Sequence, residues 1–349
     1  AVVSRGLGDV YKRQPFMSCS ARLTVYVMFA TAFFSDNAAL IVFSLYLAGI
    51  FAAVLTALLL KKTLLPGQAP PLLMELPIYH KPAVINILLN TRNKLKSFIL
   101  DAGKVIVLVV LVLNFFNSLG TDGSFGHENQ PTSVLSTVAK TATPLVEPLG
   151  ITEENWPATV GLFTGLLAKE VVVGSLDALY QQEEVEIAET EGYDLFAALG
   201  VALNTIPDNL SGLWQGIIDP LGLQSIEDVS DQHAIAEEQG FTPSTLDKMV
   251  SYFDGGVGAY AYLLLILLYF PCVATFGAIK QELGWRWALY SGSWSMFLGY
   301  SVAVGFYQIA TYSQHPSQTM IWIGIIVGAF IILYLTLKRI GNKYQKQQV

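Results

Sequence analysis

The sequence is short of charge. Only 13% of its 349 residues are Asp, Glu, Lys or Arg, against 53% hydrophobic, whereas a soluble domain carries about 25% charged residues. An ordinary soluble domain is therefore excluded, and a polytopic helical membrane protein is left. Cysteine is scarce too: Cys19 and Cys272 lie far apart and cannot form a disulfide framework. The histidines, His80, His127, His233 and His315, all fall between the apolar runs. No imidazole base is thus available inside a membrane run to activate a cysteine, which argues against an intramembrane enzyme. No Gly-x-x-x-x-Gly-Lys-Ser/Thr phosphate loop occurs, no stretch has the form of a cleaved signal peptide, and no nucleic-acid partner is expected. Residues 1–14 lack an initiator Met and any apolar periodicity, and read as a leader foreign to the fold.

What is present is a series of apolar runs. Spanning a bilayer takes about 20 such residues, and six runs qualify or nearly so: 18–34, 37–60, 98–118, 257–279, 287–311 and 320–337. Between them, 61–97 carries Lys61, Lys62, Lys81, Arg92, Lys94 and Lys96 against the single acid Glu75, which places it in the cytoplasm. Its last part, 83–96, mixes apolar and basic residues as an interfacial helix does. Residues 181–255 hold fifteen acids and one base, Lys248, and read as an external loop region. The closing Lys338, Arg339, Lys343 and Lys346 put the C-terminus in the cytoplasm. Asp101 and Lys104, three residues apart, share a helix face and read as a structural pair.

Topology then raises a parity problem. Both 119–133 and 181–255 must lie outside, so the chain between them crosses an even number of times or not at all. Either 134–151 descends and 157–180 returns, or 157–180 is re-entrant by itself. Both options place Lys169-Glu170 in a short or discontinuous helix within the membrane, the device with which transporters build ion sites. Adjacent residues diverge on a helix, so Lys169 and Glu170 cannot simply pair with each other.

A second break is written into Tyr269-Phe270-Pro271-Cys272-Val273-Ala274-Thr275. Proline removes a backbone donor and clashes with the preceding turn, and in a bilayer such a break survives only where it is buried in protein or lines a wet cavity. Pro15-Phe16-Met17-Ser18-Cys19-Ser20-Ala21 echoes it, with proline before cysteine and alanine two residues after.

At these residues the chain resembles the bacterial ferrous iron transport protein B (FeoB) family. The matching stretches include Pro15 to Tyr26, Ile41 to Tyr46, Glu75 to Tyr79, Gly161 to Gly174 and Phe270 to Thr275; Leu23-Thr24-Val25-Tyr26 stands where the family usually has Leu-Pro-Val-Tyr. The resemblance implies ferrous iron uptake across the bacterial inner membrane through two gate-like repeats whose cysteine motifs match Cys19 and Cys272. It divides the chain into the leader 1–14, the remainder of a first gate repeat at 15–60, the basic loop 61–97, a central membrane region 98–180, the acidic region 181–255 and a second repeat end with C-terminal spans at 256–349. It also implies an N-terminal G domain, small Feo accessory proteins and a homo-oligomer as partners. Without a phosphate loop, GTP and Mg2+ are not expected on these residues. Ferrous iron accepts thiolate as well as carboxylate, so Cys272, Cys19 and Glu170 are the candidate metal ligands. Pro271, Thr275, Pro15 and Lys169 are the expected pathway or helix-break residues, and Met17 is a weaker thioether candidate. The competing readings are a nucleoside-type gate carrier and a non-transporting scaffold.

Overall fold

The computed structural model describes residues 16–64, 83–167, 169, 171–181, 200, 204 and 242–346. Helices form its regular structure; two isolated bridges, Leu119 with Phe125 and Gly120 with Ser133, pin the loop after the third helix. Most of the acidic region, the middle of the basic loop, Pro15 and Glu170 lie outside the described residues.

Helix α1 (Ser20–Phe33) turns through a 3-10 segment into α2 (Ala38–Thr63). The second helix is apolar almost throughout and closes on Lys61 and Lys62, whose charges suit the carbonyl end of a helix. Next comes α3 (Val84–Ser118), 35 residues long. The expected interfacial helix 83–96 and the span 98–118 are thus one continuous element. Nothing between them breaks a helix: the stretch has no proline, and a lone Gly103 costs only about 1 kcal/mol. On this helix Lys104 is exposed, while the side chain of its expected partner Asp101 is outside the described set.

The parity problem falls on the next elements. Helix α4 (Val134–Ala142) has nine residues, capped by Ser133 Oγ accepting from the Ser136 N–H. It gives way to 3-10 turns at Pro144 and Pro148. Nine residues rise about 14 Å, half a bilayer core of about 30 Å, so α4 by itself is too short to cross one. Instead α5 (Trp156–Leu167) and α6 (Val171–Gln181) fold against each other. A Cβ on Gly161 would meet Leu176 at 2.8 Å, and one on Gly165 would meet Val172 at 2.5 Å. Such nested pairs belong to an antiparallel hairpin turning at Lys169. Asp177 on α6 accepts the Thr242 N–H at 2.9 Å and the Thr245 hydroxyl at 2.6 Å. It thereby caps α7 (Pro243–Tyr252) from across the chain and holds the hairpin's far end.

Helix α8 (Gly255–Leu268) leaves α7 at 98° and stops before the Pro271 break. After the break run α9 (Val273–Leu283), α10 (Trp285–Ala310) and α11 (Pro316–Lys346). Two described helices are long and apolar enough to cross a bilayer alone, over Ala38–Thr63 and Pro316–Asn342, and the bent α7–α8 pair makes a third candidate. Six full spans are not confirmed. The expected span 257–279 is two helices, 18–34 yields only 14 helical residues, and α10 is diluted by Ser, Gly, Tyr and Arg286.

Helix α8 is the centre of the fold. From Ala261 to Tyr269 every side chain is buried, as a helix hydrophobic on all sides must be. It packs on α1, α2 and α10, with Phe29 of α1 stacked on Tyr262 at 5.0 Å. On the outer side, α11 presents Ile321, Ile325, Ile332 and Leu335 to its surroundings.

Candidate functional site

Three interruptions meet beside the end of α8. The first is the extended segment before α1, the second the hairpin turn at Lys169, and the third the Tyr269–Cys272 break. Both cysteines occupy the same structural position: Cys19 is the N-cap of α1 and Cys272 the N-cap of α9, each with extended backbone and neither side chain closing a cap. An N-terminus carries partial positive charge from its unpaired N–H groups. The end of α8 supplies the opposite sign, because Pro271 has no N–H and so cannot bond the Leu267 carbonyl. Half-helix ends of both signs at one point are the usual makings of a transporter ion site.

Tyr269 ties the three together. Arg22, Tyr26, Cys272 and Cys19 all lie within its electrostatic reach. Lys169, 4% exposed, holds its ammonium 4.8 Å from the centre of the Tyr269 ring. A methyl group on Gly165 would come within 2.5 Å of the Tyr269 hydroxyl, so the glycine is what lets that hydroxyl lie on the hairpin. Gly161 does the same for Tyr262, seven residues earlier on α8, whose hydroxyl donates to the Ala158 carbonyl at 2.9 Å. The phenols at 262 and 269 and the glycines at 161 and 165 thus form one interlock.

Cys272 is half-buried with its sulfur 3.3 Å from the Thr275 hydroxyl, and Cys19 is exposed. Both are free thiols. Pro271 is buried at the break. Arg22 donates from Nη1 to the Met17 carbonyl at 3.0 Å, which shapes the turn into α1; Met17 itself points outward. Of the expected residues, then, Cys19, Cys272, Pro271, Thr275 and Lys169 gather around one place. Glu170 and Pro15 lie outside the described residues. Among the described residues no group of three His, Cys, Asp or Glu side chains could hold a metal. His127 and His315 lie in loops, His127 bonded to Ser124 and Thr132.

Sequence reasoning overlooked Tyr26, Tyr269 and Arg22 as parts of the site. The available signal was the seven-residue spacing of Tyr262 and Tyr269 facing the four-residue spacing of Gly161 and Gly165.

A family model described as Ferrous iron transport protein B C terminus matches residues 42–94, and the Gate model, described as Nucleoside recognition, matches residues 99–286. The Fe(2+) transporter FeoB of Legionella pneumophila (strain Paris) is 44% identical over 312 residues, 88% of this chain and 40% of the relative. The Fe(2+) transporter FeoB of Escherichia coli (strain K12) is 41% identical over 335 residues, 94% of this chain and 42% of the relative. The chain spans about 40% of the length of the curated relatives it matches. No solved structure matches it. The chain belongs to the ferrous iron transport protein B family, of which it carries the C-terminal and Gate domains.

Proposed function

We propose that this chain forms the membrane pathway of a ferrous iron transporter, with Cys272 and Cys19 as the ion-facing thiols. The observation that carries the reading is the placement of both cysteines at helix N-caps within reach of one phenol, Tyr269. Thiols select a borderline ion such as Fe2+ over Mg2+ and Ca2+, which prefer oxygen. Carbonyls at the end of α8 add oxygen ligands, and Glu170, next to Lys169, adds negative charge. Buried Lys169 and Arg22 oppose a resting cation. That suits a pathway, in which an ion must bind well enough to enter and weakly enough to leave.

In this reading the α5–α6 hairpin is re-entrant, its tip at Lys169 meeting the two breaks inside the bilayer. The basic segment 61–97 and the C-terminus face the cytoplasm, the acidic region 181–255 faces outward, and six crossings count the short and broken helices with the long ones. The membrane is the bacterial inner membrane. A G domain, small accessory proteins and further copies of the chain complete the working assembly.

The test is uptake of radiolabelled ferrous iron by cells making the full-length transporter with Cys272→Ser or Cys19→Ser. Impaired iron uptake at normal protein level is expected; unchanged uptake in both variants sinks the thiol assignment. The name of the Gate model favours one rival, a nucleoside carrier, and competition by unlabelled nucleosides separates the two.

A further inference from the structure

Buried hydroxyls are as a rule hydrogen-bonded, and two of the four buried tyrosines among the described residues follow it. Tyr262 donates to the Ala158 carbonyl at 2.9 Å, and Tyr180 to Asn155 Oδ1 at 2.6 Å. Tyr26 and Tyr269 are as deeply buried, at 0% and 1% exposure, yet neither hydroxyl has a hydrogen-bond partner among the described residues. Ser18 Oγ is the polar side chain nearest the Tyr26 hydroxyl, yet the two do not meet hydrogen-bond geometry and both are left without a partner among the described residues. An unmet buried hydroxyl costs about 1–3 kcal/mol, and phenylalanine would fill the same space without that cost. The other orphaned phenol, Tyr290, is only half-buried and sits elsewhere, on α10.

The two exceptions are neighbours. Tyr26 and Tyr269 lie within electrostatic reach of each other and of Cys19, and Tyr269 also of Cys272. We propose that Tyr26 and Tyr269 are further ion-handling residues, whose hydroxyls accept hydrogen bonds from the water shell of a divalent cation as it passes the two thiols. The proposal rests on the reading of this chain as an ion pathway.

The chemistry favours this visitor. Water bound to a divalent cation is a polarised donor, and a neutral phenol oxygen accepts without adding charge. Lys169 and Arg22, with the amide ends of α1 and α9, oppose a bare ion settling here. A hydrated ion spreads its charge over its waters and presents donors to the waiting oxygens. Tyr269 is also held in place for such a role: its ring lies under the Lys169 ammonium, its hydroxyl on Gly165, and its backbone N–H against Gly299.

The experiment places Tyr26→Phe, Tyr269→Phe and the double variant in the full-length transporter, reconstituted in liposomes. Initial uptake of radiolabelled ferrous iron is measured against iron concentration, together with each variant's thermal midpoint in detergent. The half-saturating iron concentration should rise about threefold to tenfold per hydroxyl removed, the weight of one neutral hydrogen bond. The thermal midpoint should stay level or rise, because the lost hydroxyl has no partner among the described residues. The proposal is overturned if the double variant saturates like the unmodified protein while Cys272→Ser remains impaired. It is equally overturned if the midpoint falls and only the maximal rate drops, since the phenols would then be structural. Normal iron uptake in the cysteine variants as well would mean that the ion-pathway reading itself has failed.

Discussion

The two cysteine N-caps are built alike and embedded differently. Each opens a short helix, of 14 residues in α1 and 11 in α9, and each short helix leads into a long one of 26 residues, α2 and α10. Each long helix then offers a glycine to a break. Gly49 of α2 lies against the Phe16 carbonyl, where a Cβ would come within 2.7 Å, and Gly299 of α10 lies against the Leu268–Tyr269 peptide, where it would come within 2.9 Å. The surroundings diverge after that. Tyr26, Met28 and Phe29 of α1 are wholly buried, whereas α9 is half-exposed and ends in charge. Cys19 is exposed, and Cys272 is half-buried with Thr275 as neighbour. Two copies of one backbone device therefore need not give two equal thiols: the equivalence lies in the breaks, and the difference lies in what packs on them.

The strongest test of the shared device is to fill the glycines. Gly299→Ala and Gly49→Ala should each destabilise the fold by about 1–3 kcal/mol, the cost of overpacking, because the obstructing atoms are backbone and cannot swing aside. Gly305→Ala, whose nearest neighbour would be Ile326 at 3.9 Å, is the control and should leave the thermal midpoint in detergent unchanged. A fall at only one of the two glycines would break the equivalence. Next comes the asymmetry of the thiols. Cys272→Ser is expected to lower iron uptake about tenfold, in the range seen when metal-site support is lost, and Cys19→Ser by less; the reverse order would show that exposure does not rank them.

A smaller effect is expected where the long helices are joined. Trp294 of α10 donates its indole N–H to the Thr56 hydroxyl of α2 at 3.0 Å, both groups buried. Thr56→Val should cost about 1 kcal/mol by stranding that donor, read as a lower thermal midpoint. The smallest concerns the Cys272 environment alone. Thr275→Val removes the sulfur's 3.3 Å neighbour and should cost about 0.5 kcal/mol, the low end for a hydrogen bond. Its signature is faster maleimide labelling of Cys272 with Cys19 labelling unaltered. In the unmodified protein Cys19 should label first.

Much of this was legible before any coordinates. Low charge marked a membrane chain, and proline marked the break at Pro271. The likeness between the two cysteine segments was visible as spacing, and both prove to be helix N-caps. Helix length was less legible. A hydropathy run reads alike whether it is one helix or two, so 257–279 looked like a single span, and nothing local showed that 83–96 and 98–118 would join. The run 134–151 forms no long helix because Pro144 and Pro148 convert the chain to 3-10 turns after nine helical residues.

By itself the sequence determined the composition of the site: which residues are scarce, where the helices must stop, and which residues stand at the N-cap positions of the restarts. These are local properties, set by missing N–H groups, ring sterics and charge within a few residues. Tertiary structure alone decided that the breaks meet. The convergence of Cys19, Cys272, Lys169 and Tyr269 depends on small residues far apart in the chain, Gly49, Gly165 and Gly299, each admitting another segment to a distance that any Cβ would forbid. Close approach of this kind belongs to pairs of distant residues, and no single stretch of sequence displays it.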